Sequence, residues 1–195
     1  MSLGKQAKVL SKGQVEALIA YVSRTRNPIR NRTVALLSVR AGLRAREIAH
    51  LTWSMVLTAD GSIGTAVHLL DSASKGSSGR VIPLSRDLQK ALDDLYAEQG
   101  HPDSDARVVQ SERSRTVSAQ SIVNLFFVWY ENLGFTGCSS HSGRRTFITN
   151  VARKISTVGG SLRDVQVLAG HSRLSTTQRY IEADSEAQRR VVNLV

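Results

Sequence analysis

The sequence predicts a mostly helical α+β domain carrying one small antiparallel β-sheet. Three observations lead there. Apolar residues recur at three- and four-residue spacing over most of the chain, as one buried face of a helix requires. Two short runs, TAVHLL and RVIPL, carry β-branched residues and flank DSASKGSSG, a turn-rich loop, so together they read as a β-hairpin. Glycines and small polar residues stand where helix caps belong.

In chain order, Ser11 and Gln14 form a capping box ahead of Val15, Leu18, Ile19 and Val22, which opens a first helix. A second apolar helix spans about 29–41 and stops at Gly42, the residue that most readily enters a left-handed cap. AREIAHL begins a third. The hairpin occupies 61–84, and helices are expected over 86–98, 118–133, 140–155, 162–168 and 175–181, with a short one from 185. No internal repeat or low-complexity tract divides the chain. Residues 1–195 therefore read as one domain, with about ten residues of extension or tag remnant in front and a tail at 183–195.

An apolar fraction of 41% with 22% charged residues is that of a folded globular protein. No run approaches the roughly 18 apolar residues that span a membrane, and MSLGKQAKVL lacks the apolar stretch of a secretory signal. A single cysteine, Cys138, permits no internal disulfide, so a reducing cytoplasm is the expected compartment. Lysine and arginine outnumber acids 26 to 16, a balance of +10 that favours a polyanionic partner. Nucleic acid leads, although ribosomal and membrane-surface proteins share such a balance.

Chemistry concentrates in a few places. Arg44 and Glu47 lie three apart at a helix start, and His141 and Arg144 lie three apart on one helical face. His171 precedes Tyr180 across a turn, and Lys75 sits in the hairpin loop. Such cations and donors suit the non-bridging oxygens of a phosphodiester, where charge develops during phosphoryl transfer, and a tyrosine supplies an oxygen nucleophile. Ser139 and Ser140 are placed to cap the helix bearing His141, whose amino end would then favour an anion. Singly, each residue also has an ordinary reading: solvated arginine, loop lysine, packing tyrosine, helix-end histidine.

The segments GLRAREIAHLTW, ASKGSSGRVIPL, HSGRRTFITN and VLAGHSRLSTTQRYI resemble, in order and spacing, the signature segments of the tyrosine recombinases, the phage-integrase family of site-specific recombinases. The resemblance covers nearly the whole chain and implies the catalytic-domain fold of that family, without its N-terminal core-binding domain. It implies that Tyr180 attacks a DNA phosphate to give a 3′-phosphotyrosyl link. Arg44, Arg144 and His171 would hold the phosphate, Lys75 would be general acid, His141 general base, and Glu47 would orient a neighbour. It also implies double-stranded DNA as partner and a tetramer joined through the tail at 183–195. No metal or other cofactor is expected, because cations already surround the phosphate and Asp93, Asp94, Asp103 and Asp105 read as solvated charges. A type IB topoisomerase-like enzyme and a non-catalytic DNA-binding relative are the alternatives. One departure is Gly143, where the family usually has leucine; it is expected to weaken helix propensity there by up to about 1 kcal/mol without touching the chemistry.

Overall fold

The computed structural model describes residues 7–74, 78–180 and 192–193. Ser11 caps α1 (Lys12–Val22) with the reciprocal Ser11–Gln14 box, and Val15, Leu18 and Val22 turn inward. α2 (Pro28–Ala41) starts on a proline, whose fixed φ suits a first turn, and ends at Gly42 with φ 63°. That glycine is required twice over, because a Cβ there would also lie 2.5 Å from the Phe147 ring. α3 (Ala45–His50) follows at once, with Glu47 bonding back to the Arg44 amide.

The hairpin forms as expected. β1 (Ala66–Leu69) pairs antiparallel with β2 (Arg80–Pro83), placing Val67 opposite Ile82 and Leu69 opposite Arg80. Strand alternation sends Val67, Leu69, Arg80 and Ile82 inward and leaves His68, Val81 and Pro83 outside. A 3₁₀ turn at Asp71–Ala73 begins the loop, and Lys75 lies outside the described residues.

α4 (Arg86–Glu98) and α5 (Ala119–Asn132) complete the main core with Leu88, Leu92, Leu95, Ile122 and Phe126, packed around Leu36, Leu37, Ile48 and Trp53. α6 (Ser142–Lys154) crosses α2, then α7 (Leu162–Ala169) and the short α8 (Leu174–Gln178) close the fold. Ile148, Val165 and Ala169 make a second, smaller apolar cluster against which Tyr180 packs. The expected helix from 185 and the tail at 183–195 lie outside the described residues, apart from Val192 and Asn193.

One expectation needs correction. α6 begins at Ser142 with His141 as its cap, and neither Ser139 nor Ser140 caps it: the Ser139 hydroxyl accepts from the His141 amide itself, while Ser142 Oγ accepts from the Ser139 amide. The chain is thus fastened one turn earlier than the helix. Gly143 is a packing residue as well as a weak helix former. A Cβ there would stand 2.2 Å from Ser38 Oγ and 3.1 Å from a Val39 methyl, so the bare backbone lets α6 approach α2.

Candidate active site: a cationic cleft with a tyrosine

Four separated segments meet beside α6. Arg144 is 4% exposed and has no carboxylate partner among the described residues. Its Nη1 donates to the Gly42 carbonyl at 2.7 Å, and its Nη2 donates to the Ala169 carbonyl at 2.6 Å. Both carbonyls lie at helix C-termini, those of α2 and α7, where unpaired C=O groups sum to roughly half a negative charge each. Two helix ends thus replace an acid as counter-charge. Burial, with Arg44 and Arg80 nearby, lowers the Arg144 pKa, yet a guanidinium remains charged at neutral pH. Among the described residues its Nε makes no hydrogen bond, and its side chain lines the cleft.

His171 follows Gly170, the left-handed cap of α7. Its Nε2 lies 3.2 Å from Arg144 Nη2, and its Nδ1 lies 3.0 Å from Thr177 Oγ1. Because arginine only donates, Nε2 must accept, so the proton sits on Nδ1 and points at Thr177. Burial, then the charges of Arg144, Arg44 and Arg80, pull the His171 pKa down to about 4, so it is a neutral imidazole at pH 7. The Tyr180 ring stacks on it, with centroids 5.3 Å apart and planes 28° apart. Thr149 Oγ1 donates to the Tyr180 carbonyl, tying the tyrosine's backbone to α6.

Glu47 is fully buried and saturated. Oε2 accepts from the Arg44 amide at 2.8 Å and Oε1 from Arg44 Nη1 at 2.7 Å, while Arg80 bonds both oxygens at 3.0 Å. Burial alone would raise its pKa; the bonds and charge of Arg80, then of Arg44, overcome that and hold the carboxyl at about 2. Among the described residues the other guanidinium donors of Arg44 have no partner, and its side chain, 28% exposed, lines the cleft.

The cleft encloses about 480 Å³ and is walled by Arg44, Arg144, Arg145, Arg179, His141, His171 and Tyr180, with no acid among its described lining. The structure therefore brings Arg44, His141, Arg144, His171 and Tyr180 to one cavity, with Glu47 behind Arg44; Lys75 lies outside the described residues. Among the described residues no three His, Cys, Asp or Glu side chains gather as a metal site, and no helix is long and apolar enough to cross a membrane. Two partners were missed from sequence. Arg80 had a faint signal, since it alternates with Ile82 on the inward face of β2; Thr177 had none, because one threonine in STTQ looks like another.

Fold and cleft together define a helical domain organised around a cationic, tyrosine-bearing cavity. The chain belongs to the phage integrase family, which it matches over residues 8–187. It is 31% identical over 187 residues to tyrosine recombinase XerC of Haemophilus influenzae (strain PittEE), covering 92% of this chain and 59% of that one. It is 29% identical over 185 residues to tyrosine recombinase XerA of Thermococcus kodakarensis, covering 94% and 61%. The chain thus spans about three fifths of the length of these relatives. Among solved structures, the crystal structure of XerA recombinase superposes with a TM-score of 0.75 at 21% identity, covering 100% of this chain and 65% of that one. XerH site-specific recombinase bound to difH substrate gives 0.71 at 18% identity, covering 98% and 55%. These two share the fold.

Proposed function

We propose that this chain is the catalytic unit of a site-specific DNA recombinase or integrase that cleaves and rejoins strands through a 3′-phosphotyrosyl intermediate. The observation that carries the reading is Tyr180 stacked on His171 in one cavity with Arg44 and Arg144 and with no acid among the described lining residues. Family membership supports it, as do relatives named tyrosine recombinases.

In this reading Tyr180 Oη attacks the scissile phosphorus, an O–P bond to tyrosine forms, and the bond to the 5′ oxygen breaks. The tyrosine proton passes to His141 and Lys75 protonates the leaving 5′ oxygen, so charge balances and the phosphodiester energy is kept in the link. Arg44 and Arg144 hold the non-bridging oxygens. A planar, permanently charged fork suits them, and losing one such donor to a developing charge costs roughly 10²–10³ in rate. His171 is a neutral imidazole whose Nδ1 proton faces Thr177 and whose Nε2 accepts from Arg144, so it orients that arginine, and the neutralising charge falls to the arginines. Double-stranded DNA is the substrate, the tail at 183–195 joins protomers in a tetramer on it, and the cytoplasm is the site of action.

Covalent trapping tests this. The chain is mixed with nicked duplex from the flanks of its own gene, denatured in detergent, and examined for protein that migrates with DNA. Tyr180→Phe should abolish the adduct and leave the salt dependence of binding unchanged, because it removes a hydroxyl and no charge. DNA binding without an adduct in the unaltered chain would instead identify a binding-only relative. An adduct that survives the substitution would remove Tyr180 from its role.

A further inference from the structure

Arg80 is bound behind the cleft through Glu47, yet the chemistry above leaves it unused. It opens β2 on the inward face, and its side chain is 2% exposed. Nη1 and Nη2 each bond one oxygen of Glu47, Nε donates to the Leu168 carbonyl at 2.9 Å, and Nη1 also reaches the Ser78 carbonyl. Gly170, at φ 62°, makes room: a Cβ there would lie 2.9 Å from Arg80 Cδ.

Stability alone does not call for this arrangement, since buried ion pairs are often replaced by apolar residues at no net cost. Charge does call for it. Arg44 and Glu47 by themselves make a neutral pair, a weak ligand for an anion, while Glu47 is what fixes Arg44 at both its amide and Nη1. A second cation on the buried side leaves the trio at +1 with Arg44 as its exposed pole. We propose that Arg80 is a positioning residue that supplies the counter-charge of Glu47, so that Arg44 presents its full charge to a phosphodiester. The inference deepens, and rests on, the strand-cleavage reading above.

Three variants of the whole chain test it: Arg80→Met, Arg80→Lys and the double change Glu47→Gln with Arg80→Met. Two quantities are read in the folded fraction: the salt slope of binding to a short random-sequence duplex, and the single-turnover rate of adduct formation on the nicked gene-flank duplex. Arg80→Met should reduce the slope by about 0.9, one phosphate contact, and slow the adduct by roughly 10²-fold. The double change should restore the slope, because Arg44 then stands alone at +1. Arg80→Lys should keep the slope and slow the adduct at least roughly tenfold, since one ammonium cannot span both carboxylate oxygens. A purely structural brace predicts a lower melting temperature, unaltered slopes and rates among folded molecules, and nothing regained in the double variant; that result overturns the inference. Should Arg80→Met not fold, the double variant decides, a slope below that of the unaltered chain counting against the proposal. Absence of any adduct from the unaltered chain overturns strand cleavage alone, for the slopes judge the charge role independently.

Discussion

At the scale of single residues, the cleft depends on which nitrogen of His171 holds its proton. Thr177 accepts from Nδ1–H, and the freed Nε2 lone pair then receives Arg144. Thr177 is fully buried, and its carbonyl also accepts the Tyr180 amide. Arg144, which can only donate, thus sets the tautomer of the histidine, while Thr177 receives its proton and holds the amide of the tyrosine. Nitrogen NMR of the unaltered chain at pH 7 should show the Nδ1–H form alone. Arg144→Met should mix the two forms, while Thr177→Val should keep the first, because Arg144 still requires Nε2 to accept; an Nε2–H form in the unaltered chain would contradict the assignment.

At the scale of elements, the α2–α6 crossing is where a local rule and a tertiary demand diverge. Alanine in place of Gly143 would raise helix propensity by about 1 kcal/mol. The new methyl would meet Ser38 and Val39, and overpacking a crossing costs about 1–3 kcal/mol. Gly143→Ala is thus expected to destabilise by about 1 kcal/mol in chemical denaturation. Ser38→Ala should recover part of that loss, because it removes the closest atom, a buried hydroxyl with no hydrogen-bond partner.

The same crossing shows what the sequence could disclose. α1, α2 and the hairpin were legible because their signals are local: a Ser–x–x–Gln box, a glycine stop, β-branched runs around a turn. The site side chains were legible through the order and spacing of their segments. Contacts between segments were not. Nothing near Gly143 announces Ser38, and nothing near Arg80 announces Glu47, since each pair lies dozens of residues apart. The bridge between Thr52 and Arg107 went unread for the same reason, being one pair without a periodic run on either side.

At the scale of the whole molecule, the buried charges make stability depend on pH. His171 in the fold resists protonation to about 4 while the unfolded chain's histidine protonates near 6.5, so stability falls as pH drops through that window. Glu47, held at about 2 against 4.5 unfolded, adds its loss below pH 4.5. Each is on the order of 3 kcal/mol once fully lost, against about 5–15 kcal/mol for a whole domain. Melting temperature by circular dichroism should therefore decline from about pH 6.5 and more steeply below 4.5. Glu47→Gln, less stable at neutral pH, should show a shallower second decline, the remainder belonging to Asp60, Asp87, Glu112 and Asp164, whose hydrogen bonds also hold them below the usual carboxylate range.

Arg144 leans on carbonyls at the ends of α2 and α7, and that has a consequence in time. During synthesis the cations at 44, 80 and 144 leave the ribosome well before Ala169, His171 and Tyr180. A nascent chain stalled short of position 169 carries the positive charge but lacks one of the two helix ends that seat Arg144, together with the imidazole of His171 and the ring of Tyr180. The cleft can assemble only when translation has passed α8, so a shorter nascent chain carries the positive charge without the geometry of the site.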